Sequence, residues 1–353
     1  MEIPNVAFII AAALAFNFIS YTKQIDLWTY VYYPNGTIEN LNLPIEPSDL
    51  PSTPDELEND VIFVLRTELE ESRGQQLYVK DIDTLSASNF NASNPVRIVI
   101  HGWLNSMKSP SETLIRDAYL SVGNYNVILV DWSSYSRKDY LYARRKVTTV
   151  GKYVGQMINF LVENGASMED TIVVGHSLGA HIAGIAARSA KNDVGAVVGL
   201  DPAGPLFNYE ATESRMTSKD ANFVEVIHTA AGRLGYNGNL GDVDYWPNGG
   251  LRQPGCGLDL LAICSHLRSY TLFAESILDR NNAFTSKACE SYTAYETGQC
   301  EDARTSYMGG ATLDVEATGT YYLDTNSVAP FARGDVGPDE TDILTSITDN
   351  LGK

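Results

Sequence analysis

The stretch Thr171-Ile172-Val173-Val174-Gly175-His176-Ser177-Leu178-Gly179-Ala180-His181 constrains this chain more than any other. A short apolar run enters a G-x-S-x-G turn and leaves it on an Ala-rich segment. Such a run is what a parallel strand covered on both faces requires. From Leu178 to Ala190, apolar or small residues at Ile182, Ala183, Ile185, Ala186 and Ala190 suit a helix packed in a core. A serine on so sharp a strand-to-helix turn stands with its hydroxyl out over the edge of the sheet. Gly175 and Gly179 permit the turn, because a Cβ at either would crowd it or the helix that follows. The bare pattern is short enough to arise by accident, and the flanking strand and helix give it chemical meaning.

A serine hydroxyl becomes a nucleophile only beside a base, and the base needs an acid to orient it. At turns of this kind the chain order is Ser, acid, His. The chain has five His. His101 lies upstream. His176 and His181 are too near in sequence to fold back onto the hydroxyl and are expected to pack beside the turn. His228 closes the apolar run Phe223–Ile227 and reads as a strand-end residue. His266, in Cys264-Ser265-His266-Leu267-Arg268, reads as a loop residue and is the base by elimination. Asp201 follows the candidate strand Ala196–Leu200 directly. An Asp-Pro pair alone would read as a turn initiator, but a strand end beside the elbow strand is where the acid is needed. Two backbone N–H groups must face the developing oxyanion. One is that of Leu178, after the nucleophile. The other is that of Trp103, following the strand and glycine of Arg97-Ile98-Val99-Ile100-His101-Gly102.

Apolar runs alternating with helical patterns over 353 residues argue for one α/β domain on a doubly wound, mostly parallel sheet. Candidate strands are Val61–Leu65, Val96–Ile100, Val127–Val130, Ile172–Val174, Val197–Leu200 and Phe223–Ile227. Ser111–Val122 and Val147–Leu161 read as helices, the second with Val150, Val154, Met157, Ile158 and Leu161 on one face and Gly165 as its stop. Residues 1–20 read as a signal peptide: Val6–Ile19 is mostly apolar, has the length of a signal core and is short for a membrane span. Residues 21–60 read as an N-terminal extension, an extended Pro- and acid-rich arm from Asn40 to Asp60. The folded domain spans 61–333, and 334–353 is an acidic tail.

Four Cys, an even number, fit a secreted, extracellular chain and leave three pairings open. Secretion makes Asn35 and Asn91, in Asn35-Gly36-Thr37 and Asn91-Ala92-Ser93, glycosylation sites. A net charge of -19 excludes nucleic acid as a partner. It also repels anionic lipid surfaces, over a range that physiological salt limits to about 8 Å. Arg144-Arg145-Lys146 reads as a solvated helix face.

Several segments together resemble the animal pancreatic-lipase family: Ile100-His101-Gly102-Trp103, Val130-Asp131-Trp132, the turn around Ser177, Gly199-Leu200-Asp201-Pro202-Ala203-Gly204-Pro205, Asp244-Tyr245-Trp246-Pro247-Asn248-Gly249-Gly250 and Cys264-Ser265-His266. The resemblance covers roughly residues 60 to 333. It implies an α/β-hydrolase fold, a Ser177/Asp201/His266 triad, oxyanion donors at Trp103 and Leu178, and hydrolysis of carboxylic esters of lipids without a cofactor. It also implies the local disulfides Cys256–Cys264 and Cys289–Cys300. The family's lid, a disulfide-bounded loop before the catalytic His, is reduced here to the segment holding Leu258, Leu260, Leu261 and Ile263, with little interfacial activation expected. The loop around Leu234–Asp244 is short as well. Both features are shared with phospholipase A1 types and insect neutral lipases, so phospholipid, galactolipid and acylglycerol are the candidate substrates. The family's β-sandwich domain has no counterpart before the chain ends, so no colipase partner is expected. In the stretch that binds calcium in the family, Arg215 and Asp220 are kept. Thr212 and Thr217 stand where acidic ligands would, and no metal is expected. The rival reading is an inactive lipid-binding or yolk-type carrier on the same fold. Retention of Ser177 favours the enzyme.

Overall fold

Strands that are apolar at every residue must be covered on both sides, and the sheet of this protein is built around such strands. The computed structural model describes residues 30–32, 38–40, 54–68, 74–279 and 283–334. The segment read as a signal peptide, most of the segment read as an N-terminal extension with the Asn35 sequon, and all but the first residue of the acidic tail lie outside the described residues. Strands β1 (Tyr30–Tyr32) and β2 (Ile38–Asn40) form a separate antiparallel pair. The remaining strands are β3 (Ile62–Arg66), β4 (Gln75–Leu77), β5 (Val96–Ile100), β6 (Asn126–Asp131), β7 (Ile172–His176), β8 (Ala196–Leu200), β9 (Val224–Ile227), β10 (Val243–Pro247), β11 (Thr285–Ala288), β12 (Thr305–Tyr307) and β13 (Gly319–Leu323). They form one 11-stranded sheet in the order β12-β11-β13-β10-β9-β8-β7-β5-β6-β3-β4. From β13 to β6 every pairing is parallel, and antiparallel strands close both edges.

The helices are α1 (Pro54–Asp60), α2 (Ile82–Ser86), α3 (Pro110–Val122), α4 (Ser133–Ser136), α5 (Tyr140–Glu163), α6 (Leu178–Arg188), α7 (Ile263–Leu278) and α8 (Tyr292–Glu296). Alternate residues of the apolar strands feed two cores. Ile98, Ile100, Val173 and Val197 join α5 and α6 on one face. Val99, Val174, Val198 and Leu200 join α3 and α7 on the other. The face read on the second helix holds: Val150, Val154, Met157, Ile158 and Leu161 are all buried. This layered, mostly parallel sheet is the α/β-hydrolase architecture.

Three expectations need correction. The helix read as Val147–Leu161 begins seven residues earlier, at Tyr140, where the Asp139 side chain accepts from the Tyr142 N–H (2.9 Å) as a cap. The first turns therefore carry Arg144 and Lys146 inward, not onto a solvated face. Arg144 lies over the Phe207 ring (4.2 Å) and donates to Leu206 O and Ser214 Oγ. The Lys146 ammonium sits 4.8 Å from the Tyr135 ring centre. Aromatic faces and oxygen acceptors offset the cost of burying these cations. The end of the supposed extended arm is the helix α1, whose Leu57 packs in the core.

Candidate active site

Register along the parallel strands brings the candidate residues to one edge. Ile100 pairs with Gly175, His176 with Leu200, and Leu200 with Ile227. One step further, Ser177 N–H donates to Leu200 O (3.0 Å) and Asp201 N–H to Ile227 O (2.7 Å). Gly102, Ser177, Asp201 and His228 thus stand side by side where the strands end, the edge at which open α/β sheets place their ligands.

Ser177 has φ 58°, ψ -119°, a conformation that costs a residue bearing a Cβ on the order of 1–2 kcal/mol. The chain is forced through this turn by close backbone approach. A Cβ on Gly175 would lie 2.1 Å from Gly179 O, and one on Gly179 would lie 2.2 Å from Ile100 O. The loop after β5 comes as near: a Cβ on Gly102 would lie 2.8 Å from Ser177 Cβ. Trp103 is held there by its indole N–H on Lys138 O (2.8 Å) and by edge contact with Tyr140. The backbone N–H groups of Trp103 and Leu178 donate to no other described residue.

Asp201 is fully buried, at φ 41°. Its Oδ1 accepts from the N–H groups of Thr229 (2.8 Å) and Ala230 (3.0 Å), and its Oδ2 lies 2.5 Å from His266 Nδ1. Three partners satisfy a carboxylate that would otherwise be costly to bury. With Nδ1 engaged, Nε2 is the ring nitrogen of His266 left for a hydroxyl. The His266 ring lies 4.6 Å from that of His176, the residue before Ser177. His266 does not sit on a loop as read from the sequence. It occupies the first turn of α7, which starts after Ala262 in a left-handed conformation (φ 56°) with no side-chain cap at that position. No Ser, Thr, Asp or Asn immediately precedes the helix, so its start leaves no local signal.

The other four histidines have different partners. His101 pairs with Asp131 (3.3 Å) and stacks on Trp132. His228 pairs with Asp244 (2.7 Å) and stacks on Trp246. His181 meets Ala203 O (2.8 Å), and burial pushes its pKa down to about 3. His176 Nε2 meets His266 O (3.3 Å). Burial, then the positive charge of a protonated His266, hold His176 well below the usual imidazole range. His176 is therefore a neutral ring packed against His266.

The segment read as a lid is closed by the Cys256–Cys264 disulfide, and a second disulfide joins Cys289 to Cys300. Leu258 and Leu260 are 74% and 59% exposed. Leu261 is half-buried, and Ile263 is already part of α7. Asn91 is exposed in a turn, its Oδ1 accepting from the Ser93 N–H.

The stretch that binds calcium in the family already has a cation of its own. The Arg188 guanidinium donates to Thr212 O (3.2 Å), Glu213 O (2.7 Å), Arg215 O (2.9 Å) and Asp220 Oδ1 (2.7 Å). Thr217 donates to both Asp220 oxygens (2.8 Å each). A calcium ion needs six to eight oxygens at about 2.3–2.6 Å. Here the acceptors face a fixed positive group, and the one carboxylate among them already accepts three hydrogen bonds, one of them from that group, so the donor set does not fit. Chelation with EDTA is expected to leave the melting temperature unchanged, and added calcium likewise, as thermal unfolding would register. A melting temperature that falls on chelation would contradict the reading.

A family model described as Lipase matches residues 39–331, reaching into the segment read as an extension. Pancreatic triacylglycerol lipase of Oryctolagus cuniculus is 32% identical over 316 residues, covering 81% of this chain and 67% of that protein. Inactive pancreatic lipase-related protein 1 of Canis lupus familiaris is 34% identical over 302 residues, covering 77% of this chain and 64% of its own. The chain thus spans about two thirds of the length of these curated relatives. Among solved structures, MGS-M1, an alpha/beta hydrolase enzyme from a Medee basin deep-sea metagenome library, aligns with TM-score 0.32 at 18% identity, covering 50% of this chain and 72% of its own. Matched by that family model across its sheet, its serine turn and its histidine helix, the chain belongs to the pancreatic lipase family of the α/β-hydrolase superfamily.

Proposed function

We propose that this protein is an extracellular serine lipase that hydrolyses carboxylic esters of lipids through an acyl-enzyme on Ser177. The observation that carries the reading is the Asp201–His266 contact, formed beside the strained turn that presents Ser177. His266 Nε2 takes the Ser177 proton as Oγ attacks the ester carbonyl. Asp201 holds the imidazole in the tautomer with Nδ1–H and stabilises its charged form. The Trp103 and Leu178 N–H groups, which have no other described partner, receive the oxyanion, each supplying about 3 kcal/mol. His266 then protonates the leaving alcohol. Water, deprotonated by the same ring, releases the fatty acid.

Exposed Leu258 and Leu260 suit contact with acyl chains, and the short loops favour phospholipase A1-like cleavage over action on triacylglycerol alone. Two disulfides support an oxidising compartment, where exposed Asn91 is a glycosylation site.

The test is a fluorophosphonate probe followed by a substrate profile on phosphatidylcholine, monogalactosyl diacylglycerol and triolein. We expect one adduct, on Ser177, and release of fatty acid with lysolipid from the two polar lipids. A relative of similar identity is named inactive, so the alternative of a lipid-binding carrier has a specific motive. No adduct together with retained lipid binding would establish that alternative.

A further inference from the structure

The candidate acid and base come from elements far apart in sequence, the end of β8 and the first turn of α7, so something must hold those two elements in register. The first turn of a helix has backbone N–H groups with no partner of its own. In α7 two of them are taken by a residue well before the helix. Asp259 Oδ1 accepts from Cys264 N–H (3.2 Å) and Oδ2 from Ser265 N–H (2.8 Å). Asp259 is itself tied down, its carbonyl accepting from Ala262 N–H (3.1 Å) and from Arg233 Nη1 (3.1 Å). The Cys256–Cys264 disulfide fastens the start of the segment to the same turn.

A second set of bonds runs to the acid. Gln253, buried at 4% exposure, donates its backbone N–H to Ser265 Oγ (3.1 Å). Its side-chain Nε2 donates to Thr229 O (3.2 Å) and Pro247 O (2.9 Å), and its Oε1 accepts from Asn248 Nδ2 (2.8 Å). Thr229 in turn donates its N–H to Asp201 Oδ1 (2.8 Å). The path Asp201–Thr229–Gln253–Ser265–His266 is therefore a closed ring, with the contact between Asp201 and His266 as its last link.

We propose that residues 253–264 are a fixed clasp that holds His266 on Asp201, with Gln253 and Asp259 as positioning residues, and not a lid that swings aside. The proposal rests on the serine-hydrolase reading above for its kinetic consequences, but not for its structural ones. The segment cannot lift without breaking the cap on α7 and displacing His266 itself. Substrate access and the integrity of the dyad would then be in conflict. A clasp removes that conflict, and leaves the exposed Leu258 and Leu260 as a static apolar rim.

The test compares Gln253→Met, which keeps the volume and removes every side-chain hydrogen bond, with Asp259→Ala and Asp259→Asn in the full chain. Misplacing a catalytic group by about 1 Å costs up to about 100-fold in rate. We expect Gln253→Met and Asp259→Ala to lower kcat about 10- to 100-fold on a soluble ester with KM within about twofold. Asparagine keeps one acceptor and turns an amide NH2 towards the second N–H, so Asp259→Asn should recover only part of the loss, falling between Asp259→Ala and the parent.

The low-field proton resonance of His266 Nδ1–H gives a readout independent of turnover. It should be sharp in the parent and broadened or lost in Gln253→Met and Asp259→Ala. Parent-like kcat and a parent-like resonance in both variants would overturn the clasp. If the parent takes no fluorophosphonate, the hydrolase reading fails while the resonance still judges the clasp.

Discussion

Replacing Ser177 by alanine is expected to lower kcat on any carboxylic ester by at least about 10⁴-fold, with the fold intact. Removing the nucleophile of such a triad leaves only what the oxyanion donors and binding supply. Stability should move the other way in a companion variant. Ser177 sits at φ 58°, a region glycine occupies freely and a Cβ-bearing residue does not. Ser177→Gly should therefore be inactive and yet raise the unfolding free energy by about 1 kcal/mol, less whatever glycine loses in chain entropy. Esterase assays on a soluble ester together with denaturant unfolding decide both. A Ser177→Ala protein that retains more than about a hundredth of the parent rate would remove Ser177 from the mechanism. Loss of stability in Ser177→Gly would show that the turn is not strained.

Ionisation of Glu225 should cost the folded protein stability as the pH rises from about 4.5 towards 8, and Glu225→Gln should remove that one contribution. Glu225 lies in β9 near the middle of the sheet and is fully buried. One oxygen accepts from Gly309 N–H (2.9 Å), and the other has no hydrogen-bond partner among the described residues. Burial, aided by the charge of Asp314, pushes its pKa up to about 8. The folded protein thus keeps a proton that the unfolded chain releases above the ordinary glutamate value of about 4.5. Between those two values each pH unit removes about 1.4 kcal/mol, because the native state binds the extra proton. At pH 7 the loss is on the order of 3 kcal/mol. Glutamine cannot ionise, so the variant should gain on the parent progressively from pH 5 to pH 8, measured by urea unfolding at several pH values. A constant difference between the two proteins would mean that Glu225 is ionised in the folded state. This effect is separate from the candidate site, so it does not depend on what the protein hydrolyses.

How much of this was legible beforehand varies with the physics involved. Strands β5, β7 and β8 were readable because both of their faces are covered, which leaves uninterrupted apolar runs. α5 was readable along its buried stripe and misread at its start, where two cations enter the interior on aromatic and oxygen partners. β10 to β13 left no such trace. β11 and β12 read Thr-Ser-Lys-Ala and Thr-Ser-Tyr, and their polar residues are satisfied by neighbours remote in the chain, as Tyr245 and Ser306 are by each other. Ser177 and Asp201 could be named because each stands at the end of a legible strand. His266 could be reached only by elimination, and its helix was missed because the cap, Asp259, comes from outside the segment just before it. Gln253 gave no signal at all, since its importance lies in the two elements it joins.

Local patterns in the chain determined the class of the sheet, the turn at residue 177 and the three side chains worth testing, because apolar period and glycine sterics act over a few residues. Only the tertiary structure decided how residue 266 reaches residue 201, and that the Arg188 guanidinium gathers the carbonyls of residues 212, 213 and 215 with Asp220. Those outcomes depend on partners tens of residues apart, and their geometry exists only after the layers have packed.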